Sequence, residues 1–452
     1  MTPTPPFSLL LELYPAADMA AVLAPEAAVR GWVEFEHALA TAQAKSGIIS
    51  DGDADAICAV SADSIDRDAL WSAARNVGYP ILPLIRQIAA QLPEGPDGRV
   101  HYGATTQDAM DTGQSLMLRD ACDLLLAQID AVGARLASHV EVHVNTVMPG
   151  RTHGQQAVPT TLGAQLAPVL AELARSRTRV RAVREEVAVL SLFGAGGTSA
   201  ALGADIAEIR RTMGDALGLT AVDVPWHTAR DRVVAVAHAC TLLVGSCARV
   251  ARNVIDLSRT EIGELFEAAG THRGASSTMP QKANPILAEG IVGMSAIVAP
   301  LSASLGRALE VPQERAAGEW QIEWHVMPQV LQLTSATLAS AAELLAGLRV
   351  DADAMRANLA ADGGLIMSEA AMISLAHALG RERAHDIVYA AALDVRSTGT
   401  TLTDAIRAGL NKAGVSEDVV VPDATDYLGD TRRACEAAVA GWVEDADEEV
   451  SR

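Results

Sequence analysis

Two long stretches without proline constrain the fold more than any other feature of this chain. Residues 108–147 and 226–279 contain no proline, and Val250, Val254 and Leu257 recur at the i, i+4, i+7 spacing of one helix face. Proline interrupts helix interiors, and this apolar spacing is typical of an amphipathic helix. Strand-like alternation is hard to find anywhere in the chain. We therefore predict an all-α fold with a central bundle of long helices.

The length of the chain, 452 residues, exceeds what one hydrophobic core usually holds, so more than one domain is expected. Breaks in the helical pattern fall near residues 92–98 and 348–353. They predict an N-terminal helical domain at 1–100, a central long-helix bundle at 101–350 and a C-terminal helical domain at 351–452.

The charge balance excludes several classes of partner. The formal net charge is −21, so nucleic acid and anionic membrane surfaces would repel the chain. Half of the residues are hydrophobic and only 3% are aromatic, which favours packing of aliphatic helices. An anionic substrate would have to be captured by local cations and hydroxyl groups.

Targeting and metal-binding signals are absent from the sequence. Residues 1–15 have no basic region before their apolar residues, so they do not resemble a signal peptide. The apolar segment 290–306 is short for a membrane span and contains Gly293 and Pro300, which favours a buried bundle helix. The five cysteines lack paired metal spacing and their odd number fits reduced thiols. A cytoplasmic protein without metal or cofactor is predicted.

The segment 276–285, Ser-Ser-Thr-Met-Pro-Gln-Lys-Ala-Asn-Pro, concentrates hydroxyl groups, a cation and an amide in one loop. Asn284 is a good helix N-cap, and Pro285 suits the first helical position, where an N–H would have no partner. A reactive loop tied to a rigid helix is therefore predicted.

The helix predicted after this loop carries one charged side chain, Glu289, between residues 285 and 306. A lone carboxylate on an apolar helix is costly to bury unless another group pairs with it. His153 is our candidate for that partner.

The loop resembles the signature of the fumarase/aspartase superfamily, G-S-x-x-M-x-x-K-x-N. The match consists of Ser276, Met279, Lys282 and Asn284, with alanine in place of the glycine. The resemblance implies that Ser276 is the catalytic base and that Lys282 and Asn284 bind a substrate carboxylate. It also implies that Glu289 orients a catalytic histidine.

Two further segments resemble the other active-site regions of this superfamily. Residues 101–108 match the first region, with Thr106 where serine is commoner, and residues 150–156 match the second. In the second region the family's threonine, here Thr152, binds carboxylate, and its histidine, here His153, is the acid/base partner. Because the family assembles each site from different subunits, the resemblance implies a homotetramer.

The implied reaction removes a weakly acidic C–H proton next to a carboxylate and eliminates a group from the neighbouring carbon. Preorganised donors around the carboxylate would stabilise the doubly charged aci-carboxylate intermediate. Backbone N–H groups of the loop could stabilise the Ser276 alkoxide. The predicted catalytic residues are Ser276, His153 and Glu289, and the predicted substrate-binding residues are His101, Thr105, Thr106, Thr152, Ser277, Lys282, Asn284, Arg230 and Arg315.

Within the superfamily, residues 104–112, 225–232 and 314–321 resemble the bacterial cycloisomerases of aromatic catabolism. In those enzymes a carboxylate adds within the same molecule across a conjugated double bond and forms a lactone. The resemblance makes Arg230 and Arg315 candidates for binding additional carboxylates, since a guanidinium can hold a carboxylate through two hydrogen bonds.

Two alternatives stay open at this point. Residues 151–161 resemble adenylosuccinate lyases. An acid oriented by a carboxylate is suited to protonate a leaving amine. Both points favour a C–N lyase that acts on an N-substituted aspartate or another substituted succinate. A non-catalytic scaffold, such as the lens proteins related to argininosuccinate lyase, is disfavoured because the chain keeps Ser276, Lys282 and Asn284 together.

Overall fold

The computed structural model describes residues 8–416 and 420–450, with side chains up to residue 444. The fold is mostly helical, as the sequence predicted. The helices are α1 (Leu9–Leu13), α2 (Ala17–Val22), α3 (Pro25–Lys45), α4 (Asp51–Cys58), α5 (Arg67–Val77), α6 (Ile81–Ala89), α7 (Thr106–Val142), α8 (Leu162–Val187), α9 (Ile206–Leu217), α10 (Asp231–Leu257), α11 (Ile286–Ser304), α12 (Glu319–Ala346), α13 (Ala352–Leu359), α14 (Ser368–Leu379), α15 (Arg381–Thr398), α16 (Leu402–Lys412) and α17 (Thr431–Val450). The strands are β1 (Val147–Thr152), β2 (Gln155–Thr161), β3 (Leu265–Phe266) and β4 (Arg349–Val350).

The two proline-free stretches form the helices predicted for them. The first contains most of α7, with 37 residues, and the second contains α10, with 27 residues, which ends at Leu257. Val250, Val254 and Leu257 are all buried, so the i, i+4, i+7 spacing did mark a core-facing stripe.

The chain divides into two compact units, each made of three segments. Unit 1 comprises Met1–Ile129, Ser176–Gly245 and Gly293–Ala339, and unit 2 comprises Asp130–Arg175, Ser246–Val292 and Ser340–Arg452. The divisions fall inside the long helices α7, α8, α10, α11 and α12. The division at 1–100, 101–350 and 351–452 stays a prediction from the sequence.

Each unit has a hydrophobic core. In unit 1, α3 to α6, the start of α7 and α9 pack around Phe35, Leu70, Ile81 and Ile209, all of which are fully buried. In unit 2, α13 to α16 bury an aliphatic cluster that includes Ile406. These helices use ordinary caps, among them the capping box in which Ser50 and Asp53 each bond the other's backbone N–H at the start of α4.

A β-hairpin in unit 2 corrects the expectation that the chain lacks strands. Strands β1 and β2 pair antiparallel from Val147↔Thr161 to Thr152↔Gln155, so the turn consists of His153 and Gly154. Both turn residues have positive φ, 51° and 74°, as in the two-residue turns that suit strand twist. The sequence pattern missed the hairpin because its strands are short, each contains a proline, and burial along them is partial.

Two helices of the described residues, Asp231–Leu257 and Ile286–Leu309, are long and apolar enough to cross a membrane by length and composition. Their most apolar windows are 61% and 44% buried within the chain. Core helices satisfy the same criteria, so this finding is weak evidence for a span. The segment 290–306 is helical as predicted but only partly buried.

Candidate active site

The signature loop surrounds the Ser276 hydroxyl with backbone donors. The backbone N–H groups of Thr278 and Met279 donate to Ser276 Oγ at 3.3 and 3.1 Å, and the Thr278 hydroxyl lies 3.5 Å from the same atom. Two N–H dipoles directed at one oxygen stabilise negative charge on that oxygen. The loop therefore has the feature expected of a site that stabilises a serine alkoxide.

The loop is closed at its base by Gly274 and Asn284. The backbone N–H and the side-chain amide of Asn284 both donate to the Gly274 carbonyl, at 2.8 and 3.0 Å, and Ala275 forms a bridge with Ala283. Gly274 has φ of 64°, and a Cβ there would lie 2.3 Å from the Asn284 carbonyl oxygen. Only glycine fits this closure without displacing the backbone.

The start of α11 corrects the predicted N-cap. The Asn284 side chain is used in the loop closure, and the carboxylate of Glu267 instead accepts the N–H groups of Leu287 and Ala288, at 3.3 and 2.8 Å. Burial raises the pKa of Glu267 even though these two bonds lower it. Sequence reasoning missed this cap because Glu267 lies 20 residues before the helix turn that it serves.

The predicted pair of His153 and Glu289 is not formed in this chain. His153 lies exposed at the hairpin turn, and Glu289 is exposed on α11. Across the described residues no hydrogen bond or ion pair joins the two side chains. The pairing of Glu289 with His153 stays a prediction, and both side chains are open to solvent in the single chain.

An ion pair that the sequence did not indicate fixes the hairpin. Arg151 donates to both oxygens of Glu264, at 2.9 and 2.5 Å, and Asn358 donates to the same carboxylate at 2.7 Å. Glu264 is fully buried, so the pairing compensates its charge. Thr152 and His153 follow Arg151 directly and are thereby held at a defined position on unit 2.

In unit 1, Asp108 organises residues 101–105, the turn that precedes α7 and that we call the candidate substrate turn. Its carboxylate accepts the backbone N–H groups of Thr105, Phe193 and Gly194, at 3.0, 2.8 and 2.9 Å, and the Nε2–H of His227 at 2.8 Å. Burial alone would raise the pKa of Asp108, but the His227 and backbone hydrogen bonds lower it below its usual range. The Asp108 carboxylate thus joins the turn at Thr105 to the loop that begins at Phe193 and Gly194.

His101 begins the same turn in a left-handed conformation, with φ of 60°. Its Nδ1 lies 2.6 Å from Glu36 Oε1, and both side chains are largely buried. Burial alone would lower the pKa of His101, but Glu36, with a smaller contribution from Asp108, raises it. No sequence pattern indicated Glu36, which lies 65 residues away.

Arg230 does not have the surroundings predicted for a substrate-binding residue. Its buried guanidinium donates to Asp111 at 2.9 and 3.1 Å and to Glu323 at 2.7 and 2.6 Å. Burial alone would lower the pKa of Arg230, but the two carboxylates raise it. A guanidinium already held by two internal carboxylates is a structural cation, so this assignment is corrected.

Arg315, the other arginine predicted to bind substrate, has different surroundings from Arg230. Its guanidinium is partly exposed and donates to Gln107 Oε1 at 2.9 Å and to the Ala195 carbonyl at 2.8 Å. Both acceptors are neutral, and within the described residues no carboxylate pairs with Arg315. Its charge is available to an anionic ligand.

The other predicted residues lie at accessible positions. Ser277, Lys282 and Thr152 are exposed, whereas Thr105 and Thr106, at the start of α7, are partly buried. In unit 2, no hydrogen bond or ion pair among the described side chains connects the hairpin residues to the signature loop. No group of three or more potential metal ligands occurs among the described residues.

The signature loop directs two backbone N–H groups at the Ser276 hydroxyl and carries an exposed lysine, an arrangement that can stabilise negative charge on the serine oxygen. A family model described as Lyase matches residues 13–299, and one described as Adenylosuccinate lyase C-terminus matches residues 364–430. The chain belongs to the fumarase/aspartase superfamily and is a lyase of that superfamily.

Particular relatives extend over nearly the whole chain. A 3-carboxy-cis,cis-muconate cycloisomerase from Pseudomonas aeruginosa is 37% identical over 448 residues, 97% of each chain. An N-acetyl-S-(2-succino)cysteine lyase from Dickeya dadantii is 34% identical over 384 residues, 85% of this chain and 84% of that protein. The crystal structure of the 3-carboxy-cis,cis-muconate lactonizing enzyme from Pseudomonas putida matches with a TM-score of 0.89 and 34% identity, covering 97% of this chain and 99% of that one.

Proposed function

We propose that this lyase interconverts 3-carboxy-cis,cis-muconate and its lactone, a step of aromatic catabolism. The observation that carries the proposed chemistry is the pair of backbone N–H groups directed at Ser276 Oγ. The cycloisomerase that is 37% identical over 97% of both chains supports this choice of substrate.

The proton transfer is assigned to Ser276. In the lactone-opening direction, the Ser276 alkoxide takes a proton from the carbon next to a carboxylate, and electrons flow into that carboxylate to form the aci-carboxylate. Collapse of this intermediate breaks the lactone C–O bond and releases the ring oxygen as a carboxylate. In the lactone-forming direction the carboxylate oxygen adds to the alkene carbon, and the Ser276 hydroxyl gives its proton to the neighbouring carbon.

Substrate binding is assigned to two groups of side chains. Lys282, Ser277 and Asn284 belong to the signature loop and Thr152 to the hairpin, whereas His101, Thr105, Thr106 and Arg315 belong to unit 1. A tricarboxylate requires local cations in a chain of net charge −21, and Lys282 and Arg315 are accessible cations without a carboxylate partner among the described residues. Arg315 supports the choice of a substrate with more than two carboxylates.

We further propose that the enzyme is a cytoplasmic homotetramer whose sites are shared between subunits. His153, Ser277 and Lys282 are exposed in the single chain, and Glu289 has no partner among the described residues, so all four can meet groups from another subunit. Leu242 on α10 and Ile297 on α11 are 54% and 39% exposed, and burial of such side chains would favour association of long helices.

A second candidate function is elimination of an amine or thiol from a substituted succinate, with release of fumarate. The presence of both His153 and Glu289 favours it, because an imidazole oriented by a carboxylate can protonate a leaving group. The relative that acts on N-acetyl-S-(2-succino)cysteine, at 34% identity, supports the same alternative.

Ultraviolet absorbance of 3-carboxy-cis,cis-muconate separates the two candidates. We expect the wild-type enzyme to remove the conjugated absorbance and Ser276→Ala to lower kcat by about 10²–10⁴-fold, the usual contribution of one acid/base group. Ser277→Ala, which changes the adjacent hydroxyl, should mainly raise KM. An unchanged absorbance with correctly folded protein, together with fumarate release from N-acetyl-S-(2-succino)cysteine, would exclude the cycloisomerase and establish the second candidate.

A further inference from the structure

A buried carboxylate stands behind the candidate substrate turn of unit 1. Glu36 on α3 is 1% exposed, and its Oε1 lies 2.6 Å from Nδ1 of His101. Its other oxygen, Oε2, is buried without a hydrogen-bond partner among the described residues. A buried carboxylate with a single partner depends on that partner for compensation of its charge, so Glu36 and His101 form an electrostatic unit.

The turn is built to present the opposite edge of the His101 ring. His101 holds φ of 60°. Gln43, which lies seven residues after Glu36 on α3, donates to the Tyr102 carbonyl at 2.7 Å. With Nδ1 directed at Glu36, the second ring nitrogen, Nε2, has no hydrogen-bond partner in the described structure and is not fully buried. The ring, whose side chain is 10% exposed, therefore turns one nitrogen toward Glu36 and leaves the other without a protein partner among the described residues.

The charges around the ring favour its protonated form. Glu36 faces it from α3, and Asp108 faces it from α7, where that carboxylate also binds His227. The nearest basic group on its own segment, Arg99, lies over the Tyr102 ring at 5.8 Å. Burial alone would lower the pKa of His101, but the two carboxylates raise it above its ordinary value of about 6.5. The imidazolium of His101 therefore persists above pH 6.5 and is lost as the pH rises through its raised pKa.

We propose that Glu36 is a positioning residue that orients His101 and keeps it cationic, so that its Nε2–H binds a carboxylate of the substrate. The substrate half of this proposal rests on the proposed function, whereas the charge of His101 does not. An imidazolium N–H donating to a carboxylate forms a charge-assisted hydrogen bond, which is stronger than a bond between neutral groups. Glu36 acts only through His101.

The test is Glu36→Gln, which keeps the size of the side chain and an oxygen acceptor for Nδ1–H but removes the charge. Histidine labelled with ¹³C at Cε1 is titrated by NMR in the intact enzyme, and the His101 signal is identified by its loss in His101→Gln. We expect the pKa of His101 to fall in the variant, because the charge of Glu36 raises it. Above the ordinary histidine pKa of about 6.5, the KM for 3-carboxy-cis,cis-muconate should rise about tenfold while kcat changes little, as expected for loss of a hydrogen bond between charged groups, and the KM difference should shrink as the pH falls below that value.

Two controls separate a positioning role from a structural one. Glu34→Gln changes an exposed glutamate on the same helix and should leave both the titration and KM at wild-type values. Glu36→Gln combined with His101→Gln should raise KM no further than His101→Gln alone. An unchanged His101 pKa in Glu36→Gln would overturn the proposal, and so would a lowered pKa with an unchanged KM. Because the titration needs no turnover, failure of the substrate assignment is distinguished from failure of the His101 charge.

Discussion

At the scale of single residues, Arg230 and Arg315 show how surroundings decide the use of a side chain. Both were predicted to bind substrate carboxylates. Arg230 lies between two internal carboxylates, whereas Arg315 donates to an amide oxygen and a backbone carbonyl. Arg230 neutralises the buried carboxylates of Asp111 and Glu323, whereas the charge of Arg315 is uncompensated among the described residues. Substitution of Arg230 should therefore affect mainly stability, and substitution of Arg315 should affect mainly substrate binding.

Arg230→Gln should reduce the free energy of unfolding by about 3–5 kcal/mol, because it leaves Asp111 and Glu323 buried without their cation. Urea denaturation followed by circular dichroism measures the change. Arg211→Gln provides a control, since Arg211 forms solvent-exposed pairs with Glu208 and Asp215 on one helix, and it should leave the unfolding free energy close to that of wild type. Equal effects of the two substitutions would contradict the structural role of Arg230.

Arg315→Gln should lower the unfolding free energy less than Arg230→Gln does, by about 1–3 kcal/mol, because it leaves the buried Gln107 Oε1 without its donor, whereas the Ala195 carbonyl is exposed to water. Its KM for the tricarboxylate should rise roughly tenfold or more, as expected for the loss of a hydrogen bond between charged groups. Steady-state kinetics measure the effect, and Arg315→Lys should restore part of the affinity. A KM unchanged in Arg315→Gln would remove this residue from the site.

At the scale of elements, helix ends and turns position the site. The hairpin presents Thr152 and His153 from a two-residue turn, and α11 supports the signature loop at its N-terminus. The sequence pattern predicted neither the turn at His153 and Gly154 nor the residue that caps α11. The turn depends on the backbone freedom of Gly154, and the helix start depends on the remote carboxylate of Glu267.

Gly154→Ala should destabilise the hairpin by about 1–2 kcal/mol, because an L-residue is strained at φ of 74°. Thermal unfolding and hydrogen exchange of the strand amides measure the loss. Gly196→Ala is a suitable comparison, since Gly196 lacks positive φ and has open space around it. Equal hydrogen-exchange protection of β1 and β2 in the two variants would contradict the proposed strain at the turn.

Glu267→Ala should reduce stability by about 0.5–2 kcal/mol through loss of the α11 cap. Asn284→Ala should instead disturb the loop closure at Gly274, so it should affect kcat and KM more than the exchange protection of α11. Hydrogen exchange of Leu287 and Ala288 distinguishes the two. Faster exchange at these amides in Asn284→Ala than in Glu267→Ala would restore Asn284 as the cap.

At the scale of the whole molecule, the proposed sharing of sites between subunits predicts complementation. Ser276→Ala and His153→Asn should each have little activity as pure proteins, because they change the assigned base and the residue that the superfamily resemblance predicts as its acid/base partner. When the two are unfolded together and refolded as a mixture, a measurable fraction of activity should return, because some sites will take Ser276 from one subunit and His153 from another.

The control for this experiment is mixing of the two folded variants without denaturation, which should leave activity low if subunits do not exchange. Sedimentation velocity of the wild-type protein gives the mass of the assembly, for comparison with the 47.1 kDa chain. A monomeric mass, or mixtures that never regain activity, would contradict the shared tetrameric site.

The helical class and the signature loop were predictable from the amino-acid sequence, because both depend on local information. The two long proline-free stretches contain most of α7 and all of α10, and the spacing of Val250, Val254 and Leu257 is visible in the local sequence of α10. The order of Ser276, Lys282 and Asn284 specifies a reactive loop through its residue types alone. The same loop pointed to the superfamily that the family models then showed.

Only the tertiary structure decided which charged groups pair. Glu36 meets His101, Glu264 meets Arg151 and Glu323 meets Arg230 across 65, 113 and 93 residues of chain. Electrostatic pairing depends on distance in space and on burial, and neither quantity is contained in local sequence spacing. For the same reason the sequence placed Glu289 beside His153, although both side chains lie exposed in the single chain.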